Sequence, residues 1–204
     1  MNRKIALNQL RELKNLGSKD MRLAAEGWDQ PWKTLIAITM SARTRDEVTI
    51  PVAIKLFKRY NSLYKLAHSD VKEVENIIKP VNFYKNKSKN IINCAKLLVK
   101  EYKMKVPLSF DELLNLPGVG RKTGNVFLSE YGNHGLGVDT HVSYISRKLD
   151  WTKHKNPSKI EEDLKKLFPK SYWNKVNPTL VRFGKTYTSK RKKDALLLQT
   201  SKIK

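Results

Sequence analysis

The chain has 204 residues, 40% of them hydrophobic, and its 41 lysines and arginines against 19 acidic residues give a net charge of +22. This charge indicates an anionic partner, with nucleic acid the first candidate, although a basic protein that lysine merely keeps soluble is an alternative. The longest apolar run near the start, 35–38, is far short of the ~20 residues of a membrane span, and no secretory apolar core precedes it. We therefore expect no membrane association and an intracellular, cytoplasmic or nucleoid-associated protein.

Helix signals occur along the whole chain, and no convincing strand alternation is present. Asp29 marks the start of one predicted helix, and Thr44 begins a capping box that marks the next. A helical apolar face extends over 91–102 and includes Cys94, the only cysteine. A single cysteine excludes an internal disulfide and a cysteine-ligated metal cluster. The sequence therefore predicts an all-α fold.

A short helix, a glycine-containing turn and a second helix are predicted in the middle of the chain. Ser109 begins another capping box, and the helix that follows must end at Pro117. The next helix is predicted from Arg121 to about Tyr131, with Gly132 beyond it. Together these elements predict a helix-hairpin-helix unit.

Two helix predictions concern the last fifty residues. Ser158 begins a capping box, and apolar residues at helical spacing continue that helix to Phe168. The residues from 190 to 204 begin with four cations and lack a stop signal, so we expect this end to fray.

The string Leu-Pro-Gly-Val-Gly-Arg-Lys-Thr-Gly at 116–124, followed by Val-Asp-Thr-His at 138–141, points to chemistry. Gly118 and Gly120 allow a turn that brings bare backbone N–H groups against a phosphate at a helix N-terminus. Lys122 and Asp139, seventeen residues apart, can serve as an amine nucleophile and its electrostatic partner. An ordinary helix-helix turn, a surface lysine and a helix N-cap aspartate are the alternatives.

These strings resemble the endonuclease III family of helix-hairpin-helix DNA glycosylases. The resemblance extends to Ser41-Ala42 after an apolar helix, to Phe83-Tyr84 with Lys87, and to the helix at 158–168. It implies a two-lobed all-α fold with DNA held in a cleft between the lobes. One lobe would be a six-helix barrel at 22–135, with the helix-hairpin-helix at about 109–131. The second helical lobe would combine 1–21 with 136–204.

The resemblance implies a base-excision-repair glycosylase with AP lyase activity that flips a damaged base, expected to be an oxidised pyrimidine, out of double-stranded DNA. Lys122 falls on the family's nucleophile, which attacks the sugar C1′ and cuts the strand through an imine and β-elimination. Asp139 falls on its essential aspartate. Two alternatives are a glycosylase of the same fold for mismatched, deaminated, alkylated or oxidised purine bases, and a non-catalytic helix-hairpin-helix DNA-binding protein. DNA with a damaged base or an abasic site is the expected partner, and the expected state is a monomer.

Further positions are assigned through the same resemblance. Phe83 falls on a wedge that enters the vacated base stack, and Ser41 and His141 fall in the base pocket. The residues predicted to contact DNA are Arg43, Phe83, Lys85, Lys87, Leu116, Gly118, Val119, Gly120, Arg121 and Thr123.

The sequence departs from the family at two places. Arg43 stands where many members carry glutamine, which predicts an altered preference for the opposite base. Most relatives have four cysteines that bind an iron-sulfur cluster near the C-terminus, whereas the corresponding stretch here has Thr188, Ala195 and Leu198 and no cysteine. We therefore expect no cluster and no other cofactor or metal, with apolar packing of 195–198 in its place.

Overall fold

The computed structural model describes residues 2–203, and within that range the chain forms helices and no strand. This confirms the predicted all-α fold. None of the helices in this range is both long and apolar enough to cross a membrane. The chain forms two compact units. We call Arg22–Tyr131 the central unit, and the described residues up to Met21 together with those from Gly132 onward the terminal unit. The boundary expected after residue 135 therefore lies after residue 131.

The described residues of the central unit form seven helices rather than six, and two of them have only five residues. They are α2 (Pro31–Ser41), α3 (Asp46–Arg59), α4 (Leu63–Ala67), α5 (Val71–Ile78), α6 (Tyr84–Glu101), α7 (Phe110–Leu114) and α8 (Arg121–Glu130). Helix α2 is buried around almost its whole circumference, as expected of a helix that is apolar on every face. It packs against α3, α6 and α8 and so forms the centre of this core.

The terminal unit is built from both parts of the chain that flank the central unit. Its helices are α1 (Arg3–Leu16), α9 (Thr140–Lys148), α10 (Pro157–Leu167), α11 (Trp173–Thr186) and α12 (Lys190–Ser201), with a 3-10 turn at Lys170–Tyr172. Helix α11 packs against both α1 and α9, and it buries Leu180 and Phe183 completely. This unit therefore has its own hydrophobic core.

Three predicted capping boxes are corrected in detail. The N-cap of α10 is Asn156, whose Oδ1 accepts hydrogen bonds from Ser158 N at 2.9 Å and Lys159 N at 3.4 Å. Pro157 occupies the first helical position, where its missing N–H costs nothing. Ser109 is the N-cap of α7 but makes no side-chain cap bond. Thr44 precedes the N-cap of α3, which is Arg45, and its hydroxyl is used elsewhere.

The C-terminal segment forms helix α12 rather than fraying. Asp194 binds the hydroxyl of Tyr144 and accepts a hydrogen bond from Lys148 Nζ at 3.1 Å, which attaches α12 to α9. The Tyr144 hydroxyl, followed by Lys148, lowers the pKa of the Asp194 carboxyl below its usual range. Of the four residues expected to pack, Leu197 is buried whereas Leu198 is exposed. Apolar packing of Leu197 and the partly buried Leu196, together with this polar cluster, therefore holds α12.

Candidate nucleic-acid interface and catalytic residues

The turn between α7 and α8 requires a glycine at position 118. Gly118 has φ +80°, in the left-handed region that residues with a side chain rarely adopt. A Cβ at this position would also lie 3.0 Å from Asn90 Cβ. Gly118 therefore reverses the chain with a backbone angle and in a tight space that both disfavour a side chain.

Gly120 serves a different purpose, because neither its backbone angle nor packing demands a glycine. Its φ is −98°, and a Cβ added there would meet no described atom within 4 Å. Gly120 is the N-cap of α8, and no side-chain hydrogen bond caps this end of the helix within the described chain. The N-cap residue therefore supplies no side-chain acceptor to the N–H groups of the first turn, and helix N-termini of this kind bind anions.

Three residues predicted to contact DNA have their side chains in the core of the central unit. Leu116 is 2% exposed, Val119 7% and Thr123 6%. The N–H of Val119 donates to Leu116 O at 3.0 Å and so belongs to the turn itself. Because these side chains are covered, only the backbone of these residues is left to meet a phosphate, and their contact with DNA stays a prediction.

Arg121 and Lys122 occupy the first turn of α8. Arg121 is exposed, and its guanidinium carbon lies 5.3 Å from the centroid of the Phe110 ring on α7. This cation–π contact orients a positive charge beside the uncapped amides. Lys122 is half-buried and immediately follows Arg121. The structure thus places the predicted nucleophile at the same helix terminus as the predicted phosphate grip.

Arg43 and Phe83 lie on two loops of the central unit that the structure brings together. The Arg43 guanidinium carbon is 4.8 Å from the Phe83 ring centroid, and Phe83 is 55% exposed. Both residues have left-handed backbones, with φ +57° and +60°. Ser41, at the end of α2, donates its hydroxyl proton to Ile38 O at 2.8 Å. The pair therefore presents a cation and an aromatic ring side by side on the surface.

The two lysines predicted to hold phosphate differ in their environment. Lys85 is exposed, and it stays a predicted phosphate contact. Lys87 is 8% exposed, and its Nζ donates to Met40 O at 2.7 Å and Ala42 O at 2.6 Å. Burial lowers the pKa of Lys87 to about 8. The prediction that Lys87 binds phosphate is wrong, because its ammonium group is covered and bound to the backbone.

Asp139 lies in the terminal unit, whereas Lys122 lies in the central unit. Asp139 is the N-cap of α9, and its Oδ1 accepts a hydrogen bond from Val142 N at 2.9 Å. The sequence left the cap and the electrostatic role equally open, and the structure shows the cap. Because the cap uses Oδ1, it fixes the carboxylate and leaves Oδ2 outside this bond.

Two residues that the sequence did not single out position this part of the terminal unit. Asn177 donates from Nδ2 to Gly137 O at 2.8 Å and holds the segment that leads to Asp139. A Cβ on Gly184 would lie 2.2 Å from His141 Nδ1, so α11 approaches the imidazole as closely as a bare backbone allows. In the sequence, the signal for these two roles was the presence of an asparagine and a glycine within a helix, residue types that often have a packing or functional reason there.

The side chains of this protein do not fit the iron-sulfur cluster that the resemblance implies. Such a cluster needs four thiolate ligands, whereas the chain has one cysteine. Cys94 is buried within α6, and burial raises the pKa of its thiol to about 12. No group of three or more histidine, cysteine or acidic side chains positioned to bind a metal occurs within residues 2–203. No chemical step is therefore assigned to a metal.

Comparisons with known proteins agree with this geometry. Residues 36–170 match the family model described as HhH-GPD superfamily base excision DNA repair protein. Endonuclease III of Thermotoga maritima is 41% identical over 76% of this chain and 73% of the relative. Endonuclease III of Synechocystis sp. is 38% identical over 81% of this chain and 76% of the relative.

Solved structures give the same result. A non-covalent endonuclease III–DNA complex is similar with a TM-score of 0.85 at 29% identity, covering 94% of this chain and 89% of the other. A trapped endonuclease III–DNA covalent intermediate has a TM-score of 0.84 at 29% identity, covering 93% and 89%. The chain therefore belongs to the HhH-GPD superfamily of base excision DNA repair proteins, as a bifunctional DNA glycosylase and AP lyase of the endonuclease III type.

Proposed function

We propose that this enzyme removes damaged bases, oxidised pyrimidines in the first place, from double-stranded DNA with Lys122 as its nucleophile and Asp139 as the supporting carboxylate. The observation that carries the proposal is the position of Lys122 in the first turn of α8, two residues after an N-cap glycine that offers no side-chain acceptor to the helix amides. A phosphodiester bound by these amides would bring a deoxyribose close to the Lys122 amine.

DNA as the partner is supported by charge and by the structural neighbours. The net charge of +22 favours a polyanion, and two neighbours are endonuclease III complexes with DNA. The open space above Gly120 leaves room for a sugar-phosphate backbone. Lys85 and Arg121 add exposed positive charge within the central unit. We propose that the protein acts as a monomer, and as a nucleoid-associated protein because its substrate is DNA.

The proposed chemistry follows from the properties of a primary amine. The Lys122 nitrogen attacks C1′, the bond from C1′ to the base breaks, and the base leaves with a proton. The nitrogen lone pair then forms an imine and breaks the C1′–O4′ bond, and O4′ takes up the remaining amine proton as the sugar ring opens. The imine acidifies C2′, and removal of a C2′ proton expels the 3′ phosphate by β-elimination. Asp139, held by its cap bond, would stabilise positive charge that develops on the sugar.

Borohydride trapping tests this mechanism directly. Borohydride reduces an imine to a stable amine, so the wild-type protein should crosslink to a duplex that contains an abasic site. Lys122→Ala should lose the crosslink, whereas Lys96→Ala, which removes an exposed lysine of α6, should keep it. A crosslink that survives in Lys122→Ala at the same site would refute the assignment.

A panel of single-lesion duplexes tests the substrate. We expect cleavage of oxidised pyrimidines, and Arg43→Gln should change the preference for the opposite base, because guanidinium and amide groups donate to different base edges. Cleavage confined to alkylated, deaminated or oxidised purines would favour the alternative glycosylase. Binding without cleavage of any lesion would favour a non-catalytic DNA-binding protein.

A further inference from the structure

A buried lysine that the proposed chemistry does not use lies beneath the surface pair Arg43 and Phe83. Lys87, in the first turn of α6, directs its ammonium group to the end of α2. Besides Met40 O and Ala42 O, Thr44 Oγ1 lies 3.4 Å from Nζ. An ammonium group has three protons, so these oxygens match its full donor capacity.

The three acceptors belong to one short segment. The last carbonyls of a helix have no partner within the helix, and they form the negative end of its dipole. Lys87 supplies a positive charge and donors at the end of α2, where Ala42 is the C-cap. The next residue is Arg43. A single cation therefore terminates α2 and fixes the segment that leads into Arg43.

A second set of bonds ties this segment to the loop before α6. Asn82 N donates to Thr44 Oγ1 at 3.1 Å, and Asn82 Nδ2 donates to Arg43 O. Asn82 immediately precedes Phe83. Thr44 Oγ1 thus accepts from one loop while Lys87 approaches it from the helix that the loop begins. These hydrogen bonds hold both the segment that carries Arg43 and the loop that carries Phe83.

The two surface residues need this support because of their backbone conformation. A left-handed conformation is unfavourable for a residue with a side chain and persists only where its surroundings impose it. Arg43 and Phe83 both adopt it on adjoining loops, and their side chains stack. The bonds to Met40, Ala42 and Thr44 are the part of these surroundings that Lys87 supplies.

We propose that Lys87 is a positioning residue that holds Arg43 and Phe83 in the geometry with which they enter the DNA duplex. The proposal rests on the proposed function, together with the family resemblance that places Phe83 at the wedge entering the base stack and Arg43 among the DNA contacts. Lys87 touches neither DNA nor the reacting sugar. It acts through the two loops that it joins, and it sets how well the enzyme opens a duplex rather than how fast Lys122 reacts.

The experiment compares Lys87→Met with the control variant Lys96→Met. Methionine has a side chain of similar length to lysine but donates no hydrogen bond. Each variant is tested under single-turnover conditions on the same lesion in a duplex and on an abasic site in a single strand, which needs no duplex opening. Lys87→Met should lose about tenfold to a hundredfold in duplex excision, whereas borohydride crosslinking to the single strand should stay within about twofold of wild type. Lys96→Met should match wild type on both.

A 2-aminopurine placed beside the lesion reports unstacking by its fluorescence, and a purely structural role would not change this signal at a temperature where both proteins are folded. We expect its rise to be lost in Lys87→Met. Asn82→Ala, at an exposed position, removes the second tie and should show the same selective duplex defect. If Lys87→Met does not fold, the same measurements on Asn82→Ala test the proposal.

The proposal would be overturned if Lys87→Met lost duplex excision and single-strand crosslinking equally. It would also be overturned if a folded variant excised the lesion from the duplex at the wild-type rate. Failure of the wild-type protein to crosslink to an abasic site in the duplex would instead refute the proposed function. The two failures are therefore distinguishable.

Discussion

Replacing Gly184 with alanine would insert a methyl group into the contact between α11 and α9. The added Cβ would lie 2.2 Å from His141 Nδ1, 2.9 Å from Cγ and 3.0 Å from Cε1. Atoms in ordinary contact are about 3.5 Å apart or more, so the imidazole or the helix must move by about 1.3 Å. Overpacking of this size costs about 1–3 kcal/mol. For a chain of this length each kcal/mol lowers Tm by roughly 2–4 °C.

A double-mutant cycle with His141→Ala separates this contact from a general effect on α11. Thermal unfolding of the wild type, the two single variants and the double variant gives the coupling energy. Because His141→Ala removes all three clashing atoms, Gly184→Ala should cost at least about 1 kcal/mol less in that background. Lesion excision, measured in parallel, should fall in Gly184→Ala because the proposed pocket histidine is displaced.

Gly124→Ala is the matched control, since a Cβ there would lie 3.5 Å from the nearest atom, Phe110 Cε2. Inside a helix that exchange stabilises by up to about 1 kcal/mol, so Tm should stay or rise. An unchanged Tm and unchanged excision in Gly184→Ala, or strictly additive effects in the cycle, would refute the argument.

Four further outcomes are expected. Gly118→Ala should lower Tm by about 2–8 °C, because a left-handed alanine costs about 1–2 kcal/mol; differential scanning fluorimetry measures this, and an unchanged Tm would contradict it. Asp139→Asn should keep the cap of α9 and its Tm but lose excision, whereas Asp139→Ala should lose excision and about 1 kcal/mol of stability; full activity in Asp139→Asn would show that the charge is not needed. Asp194 has a pKa below its unfolded value, so its stabilisation is present above about pH 4 and is lost as pH falls through the folded pKa; the Tm difference between wild type and Asp194→Asn should shrink on acidification, and a difference that grows would have the wrong sign. DNA affinity should fall by about a thousandfold or more between about 50 and 200 mM salt; salt-independent binding would contradict the phosphate grip.

The sequence predicted the helical fold because its signals are local. Apolar periodicity and breakers such as Pro117 depend on a few neighbouring residues. They placed α8 within one residue of its observed ends, and α7 ends at Leu114, before the limit that Pro117 sets. The N-cap of α10 was misplaced because Asn156 and Ser158, on either side of Pro157, both match the pattern. Only the geometry showed that the asparagine oxygen reaches the amides.

The side-chain environments at the site were harder to predict, because they depend on residues distant in the chain. Lys87 matches a surface lysine in every local respect, yet its acceptors lie more than forty residues earlier. Thr44 was expected to cap α3, but a partner from another loop uses its hydroxyl. Leu116 and Val119 were placed correctly on the turn, whereas the direction of their side chains was set by the core of the central unit.

The division of the terminal unit along the chain has a consequence for the order in which the protein is made. Helix α1 buries Ala6 and Leu13 completely, and it packs mainly against α11, which begins at Trp173. During synthesis at about 5–20 residues per second, α1 waits roughly ten to thirty seconds for that partner. The central unit is contiguous and is completed in the meantime. Helix α1 therefore leaves the ribosome before the whole central unit, yet it buries its apolar face only after α11 has followed.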